Sequence, residues 1–236
     1  MPLLGVSDRL RGRRPVLWIG IIGAVVILIY SGHKHGGNPF SDTPKPTGSA
    51  ATQLSKLKVH TDGSMAAYDR VKDFGPAWAD VDKNHCDTRN DILARDLKKI
   101  KRSGKCVVVS GTLADPYTGQ SIHFTRGVKT SGLVQIDHVI PLGDAWVSGA
   151  AHWTAAKREQ FANDPLNLLA VDGHNNEAKG DHTAAVWLPP AKSYDCRYVS
   201  IQIAVKSKYH LTISPAEKSV MERVLRSCPG EALVHG

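Results

Sequence analysis

The sequence predicts an α+β domain, and three observations lead to it. Short β-branched runs between turn residues occur at 106–111, 120–124, 134–140 and 167–171, as expected of strands. Capped stretches with apolar residues at helical spacing occur at 87–104, 154–161, 194–209 and 214–225, as expected of helices that bury one face. Before them, the chain lacks the pattern of a packed core, so the domain is read as 55–236.

Residues 1–31 read as a signal anchor or a signal peptide. Arg9, Arg11, Arg13 and Arg14 precede an uncharged apolar run from Val16 to Tyr30, a basic flank followed by a membrane-targeting core. The run is short for a span and long for a signal core, and no clear Ala-x-Ala site follows it. Both an uncleaved anchor and a cleaved signal stay open, and either way the domain is expected outside the cytoplasm, membrane-anchored or secreted. Residues 32–54 are rich in Gly, Pro, Ser and Thr, with Pro39, Pro44 and Pro46, and read as a flexible linker. His33 and His35 in it are read as solvated rather than metal-binding. The formal net charge is +8, yet the first 60 residues hold 8 Lys/Arg against 2 Asp/Glu, leaving 22 against 20 for the remainder. Global basicity is therefore poor evidence that the folded part binds nucleic acid.

Asp87 or Thr88 can cap a helix that carries Ile92, Leu93, Leu97 and Ile100 on one face and ends near Gly104. Its last turns hold Lys98, Lys99, Lys101 and Arg102, which could bind phosphates by charge or form a solvated end favoured by the helix dipole. A strand, a turn at Asp115–Gly119 and a returning strand follow. Trp146 and Trp153 read as core. Thr154 can cap a helix through Phe161, from which Arg158 could reach a phosphate or make an ion pair. Ser214 to Glu217 forms a capping box with Pro215 at the first helical position, opening the last helix. Cys86, Cys106, Cys196 and Cys228 contain no Cys-x-x-Cys pair, which argues against zinc. In an exported chain two disulfides are expected, and local closure favours Cys86–Cys106 and Cys196–Cys228 among three possible pairings.

The stretch 136–181 holds the candidate site. The run Val134–Ile140 is interrupted by Asp137 and His138 and ended by Pro141. Side chains alternate along a strand, so the two polar groups point to opposite sides unless the strand bends. After a turn at Asn163–Pro165 the run 167–171 returns as a hairpin, Asp172 and Gly173 turn the chain, and a helix begins near His174. Asn176 and Lys179, three apart, share a face of that helix.

The Asp137-His138 pair, Asn167 and the segment Asn176-x-x-Lys179-Gly180-Asp181 resemble the ββα-metal signature of HNH endonucleases. From about Tyr68 to Cys228 the chain resembles secreted HNH-family proteins of bacteria, related to the C-terminal domain of GmrSD-type restriction enzymes. Cys86-Asp87-Thr88-Arg89-Asn90, Asp115-Pro116-Tyr117-Thr118-Gly119, Phe161 to Leu168 and Trp187-Leu188-Pro189-Pro190 carry that likeness. The resemblance implies a ββα-metal (HNH/His-Me finger) core embedded in the α+β domain and an endonuclease that hydrolyses phosphodiesters, with DNA as the first choice of substrate. His138 would be the general base, titrating near pH 6.5. Asn167 would engage its ring. Asp137 and Asn176 would hold one Mg²⁺ or Mn²⁺, and Lys179 would steady the phosphate. Asparagine stands at 176 where the parent pattern has histidine, with His174 two residues earlier and Asn175 the weaker candidate ligand. No protein partner is evident. The rival readings are a non-catalytic module holding nucleic acid or envelope polymer, and an RNA-cleaving, toxin-like nuclease.

Overall fold

The structure is a computed structural model that describes residues 44–235. The segment read as an anchor or signal lies outside the described residues, among which no helix is long and apolar enough to cross a membrane. The described part is α+β, with eight α-helices and two small antiparallel sheets.

The linker reading of 32–54 is corrected at its end. Helix α1 (Ser49–Lys56) buries Ala50, Ala51 and Leu54 against α7 (Asp195–Tyr209) and α8 (Pro215–Arg226). Burying Leu54 contributes about 2 kcal/mol, which together with the burial of Ala50 and Ala51 offsets part of the cost of ordering a segment whose flanking Pro and Gly look like a tether. The C-terminal tail clasps it, with Ala50 N donating to Glu231 O and Leu233 N to Ser49 Oγ.

The predicted helix 87–104 is also corrected. Helix α3 (Thr88–Asp96), capped by the Asp87 carboxylate accepting from Asn90 N, gives way to strand β1 (Leu97–Ser103). Leu97 and Ile100 both face the core although they are three apart, because the register slips between Lys98 and Lys101 and Lys99 sits at φ 52. A bulge thus reproduced helical spacing inside a strand. Strands β2 (Val107–Ala114) and β3 (Ser121–Thr125) complete the sheet β1-β2-β3. The lysines of β1 lie on its exposed edge, where charge discourages pairing with another chain.

The second sheet pairs β4 (Val134–His138) with β5 (Leu168–Asp172) in the register His138↔Leu168 to Val134↔Asp172. Helix α3 pins both strands: Arg89 donates to Val134 O, Arg95 to Leu168 O, and Ala170 N donates to Asp96. Strand β5 runs directly into α6 (Gly173–Lys179), where the sequence suggested a turn. Asp172 caps the helix by accepting from Asn175 N. Only glycine fits at 173, since a Cβ would meet Gly132 O at 2.0 Å. Between β4 and β5 lie α4 (Leu142–Val147) and α5 (Ala155–Ala162), the latter capped by Thr154. Helix α2 (Arg70–Phe74) packs against α5.

The cysteines pair as expected, Cys86–Cys106 and Cys196–Cys228. The last helix begins at Pro215 with Ser214 Oγ accepting from Glu217 N. The Glu217 side chain turns inward with Asp144 onto Lys206, forming a buried triad with both carboxylates 3.1 Å from the ammonium. Burial works against the Lys206 charge, but its two partners outweigh it and raise its pKa. Burial pushes Glu217 up to about 7 despite that cation.

Candidate active site

Strand alternation sends Gln135 and Asp137 to one side of β4, where α6 meets them. Asn176 Nδ2 donates to Gln135 Oε1 at 2.8 Å and Lys179 Nζ to Asp137 Oδ1 at 2.9 Å. The helical pair three apart therefore reads the strand pair two apart. Lys179, however, is fully buried, and its remaining contact is His138 O at 2.8 Å. It serves as the internal counter-ion of Asp137 and does not reach solvent, which corrects its assignment to the phosphate. Tyr117, from the Asp115–Gly119 turn, donates its hydroxyl to Asp137 Oδ2 at 2.5 Å. Burial and then Asp137 raise the Tyr117 pKa far above the ordinary phenol value, so it remains a donor. The turn is itself docked on the sheet, Asp172 N donating to Asp115 Oδ1.

His138 points the other way. Its Nε2 lies 2.8 Å from Ala162 O at the end of α5, and its ring stacks on Trp78 at 5.9 Å with 9° between planes. A carbonyl can only accept, so Nε2 carries the hydrogen of the neutral ring and Nδ1 carries the lone pair. Nδ1 makes no hydrogen bond among the described residues and is not one of the atoms sealed from solvent. Burial pushes the imidazole pKa down to about 4, outweighing the hydrogen bond to Ala162 and the charge of Asp137. The expectation of titration near 6.5 is corrected accordingly.

The Asn167 side chain makes no hydrogen bond to the imidazole. With no exposed surface, it accepts from Ile140 N at 2.7 Å and donates to Ile140 O at 3.1 Å, while its own carbonyl accepts from Val139 N. It closes the chain just beyond His138, and the orienting group is the Ala162 carbonyl.

A cavity of about 210 Å³ joins Asp137, His138 and Asn176 with Arg70, Gln135, Glu177 and Asp181. Asp181 is held against Gly143, where a Cβ would lie 2.8 Å from its carboxylate. The cavity suits a hard cation that keeps much of its water: Asp137 and Asn176 supply oxygens, and each Asp137 oxygen retains a lone pair beyond its present bond. Among the described residues no group of three His, Cys, Asp or Glu side chains is placed to hold a metal ion, so the ligands on offer here are the predicted pair, Asp137 and Asn176.

The other sequence candidates lie elsewhere. Arg158 donates to Asp73 O, Ala150 O and Trp153 O and packs over the Trp146 ring at 5.6 Å, so it ties α2 to α5 and does not face a phosphate. Lys98, Lys99, Lys101 and Arg102 sit on β1, and none lines the cavity. Sequence reasoning missed Trp78, Tyr117, the Ala162 carbonyl and Arg70. Tyr117 had a signal, since it stands in the quoted Asp-Pro-Tyr-Thr-Gly segment; a main-chain carbonyl has none.

The sequence model described as "GmrSD restriction endonucleases, C-terminal domain" matches residues 87–224. A protein of Arthroderma benhamiae, "Uncharacterized secreted protein", is 40% identical over 191 residues, covering 79% of this chain and 89% of its own length. The match of the sequence model supports the family level of the resemblance, while this relative is fungal and leaves its bacterial part unsupported. No solved structure matches the chain.

Proposed function

Because the chain belongs to the family of GmrSD restriction endonuclease C-terminal domains, a nuclease-related one, we propose that it is a metal-dependent endonuclease of the HNH type. Its ββα-metal core would be β4, β5 and α6, and it would hydrolyse phosphodiester bonds, of DNA by preference, outside the cytoplasm. The observation that carries this reading is the His138 imidazole, kept neutral by burial and fixed in one tautomer by Ala162 O, beside the cavity that holds Asp137 and Asn176.

In this reading Nδ1 of His138 takes the proton of the attacking water. The Nε2–H bond to Ala162 O persists as the ring becomes imidazolium and stabilises that charge. Asp137, held by Lys179 and Tyr117, and Asn176, held by Gln135, keep their oxygens in place as ligands. When bound, Mg²⁺ or Mn²⁺ would supply positive charge for the phosphoryl and leaving oxygens. Two disulfides, and the word "secreted" in the relative's name, support an oxidising, extracytoplasmic location.

The test is nicking of plasmid, single-stranded DNA and RNA with and without Mg²⁺ or Mn²⁺. His138→Ala should abolish cleavage at every metal concentration and keep metal binding. Asn176→Ala should weaken metal affinity and recover in part at high Mn²⁺. Near wild-type turnover by His138→Ala would refute the assignment in favour of a non-catalytic binding module.

A further inference from the structure

A phosphodiester entering this cavity brings a negative charge, and the cations that the sequence put forward cannot meet it. Lys179 is sealed beneath Asp137. Arg158 is committed to three main-chain carbonyls. The basic residues of β1 line neither this cavity nor the smaller one beside it.

Arg70 remains. Among the described residues it is the one lysine or arginine lining the cavity of Asp137, His138 and Asn176, and it also lines the second cavity, which Trp78 and His138 enclose with Ala162. Its side chain is exposed, and its guanidinium makes no hydrogen bond or ion pair among the described residues. Its main chain is fixed nonetheless: it opens α2, whose first turn is capped by Asp69 accepting from Val71 N and Lys72 N, and whose Phe74 is buried. A fixed backbone with an uncommitted fork of donors beside the base suits a bidentate phosphate contact.

Resting on the nuclease reading above, we infer that Arg70 is the residue that binds the scissile phosphate of the nucleic acid, so that a segment N-terminal to the matched range 87–224 completes the active site.

The experiment uses the full chain. Plasmid nicking with Mg²⁺ gives kcat/KM for wild type, Arg70→Ala, Arg70→Gln and Arg70→Lys. Binding of a duplex oligonucleotide across salt is compared between His138→Ala and His138→Ala combined with Arg70→Ala. Loss of one charge-assisted contact should lower kcat/KM about 10- to 100-fold in Arg70→Ala, with Arg70→Gln alike and Arg70→Lys intermediate. The slope of log K against log salt should flatten by about 0.9, with unchanged melting, since the side chain is exposed. Wild-type kcat/KM in Arg70→Ala and Arg70→Gln, or a salt slope unaffected by the substitution, would overturn the inference and leave the nuclease reading standing. Absence of cleavage by the wild type with either metal would overturn that reading and the inference with it.

Discussion

Asn167→Ala separates a ring-orienting asparagine from a loop-closing one. The substitution strips partners from the N–H and C=O of Ile140 at a site without exposure. The main-chain bonds of residue 167 to Val139 and Asp164 survive it. Each orphaned group costs about 1–3 kcal/mol, so the variant should lose about 2–6 kcal/mol, or about 5–20 °C of melting temperature for a domain of this size. Asn167→Asp refines the test. A neutral carboxyl can accept from Ile140 N with one oxygen and donate to Ile140 O with the other, whereas an ionised one sets a negative oxygen against that carbonyl. Its folded pKa is therefore raised above the unfolded value of about 3.9. Its stability should be near that of wild type below about pH 4 and should fall as pH rises through the raised value. Urea unfolding followed by tryptophan fluorescence, disulfides intact, from pH 4 to 8 measures both. Unchanged melting of Asn167→Ala with lost nicking would refute the loop-closing role and restore the imidazole as the partner of this side chain.

With His138 pushed down to about 4, the nicking rate at saturating metal should stay level from pH 8 to about 5 and decline only toward 4; a midpoint near 6.5 would contradict the burial that the structure gives this ring. Peptide mapping should recover Cys86–Cys106 and Cys196–Cys228 with no free thiol, and reducing either bridge should cost about 3 kcal/mol in denaturant unfolding. Lys206→Met leaves Asp144 and Glu217 buried without their cation. That should cost about 3–5 kcal/mol at neutral pH. The loss should shrink on acidification, because burial raises Glu217 and the protonated carboxyl no longer needs the ammonium.

The two strands and the helix of the site were legible because the signal of each element is local, although the strands pair across α4 and α5. The three-residue step put Asn176 and Lys179 on one face, as found, whereas alternation left Asp137 and His138 on opposite sides only if Pro141 did not bend the strand, and the structure shows them pointing apart. Helix α1 was hidden because the Pro, Gly and Ser residues around it outweighed four small or apolar positions that matter only once α7 and α8 are present. Strand β1 was misread because its bulge imitates helical periodicity. The destinations of Lys179, Arg158 and Asn167 depend on partners up to 85 residues away, and no window along the chain contains both ends. Residue type announced that these groups were polar and valuable; only packing decides whether a cation faces a substrate or a carbonyl.

The carbonyl of Ala162 has a consequence for how this protein can vary and how its variants would be interpreted. The group that selects the tautomer of His138 is carried by every amino acid, so no codon change at 162 can delete it. Position 162 is nearly buried and tolerates only what fits; a saturation scan there would register a size limit and miss the chemistry. Inherited drift at 162 is equally silent, and the reactivity of the imidazole is insulated from point mutation at its own anchor. The weak points lie one step removed, in whatever keeps the end of α5 in place: Arg158 with its three carbonyls, and Asn163, whose N–H and side-chain amide both donate back to Glu159 O. A backbone thioamide at 162, which weakens the acceptor without altering any side chain and keeps the Asn163 N–H that bonds Glu159 O, would expose what genetics cannot.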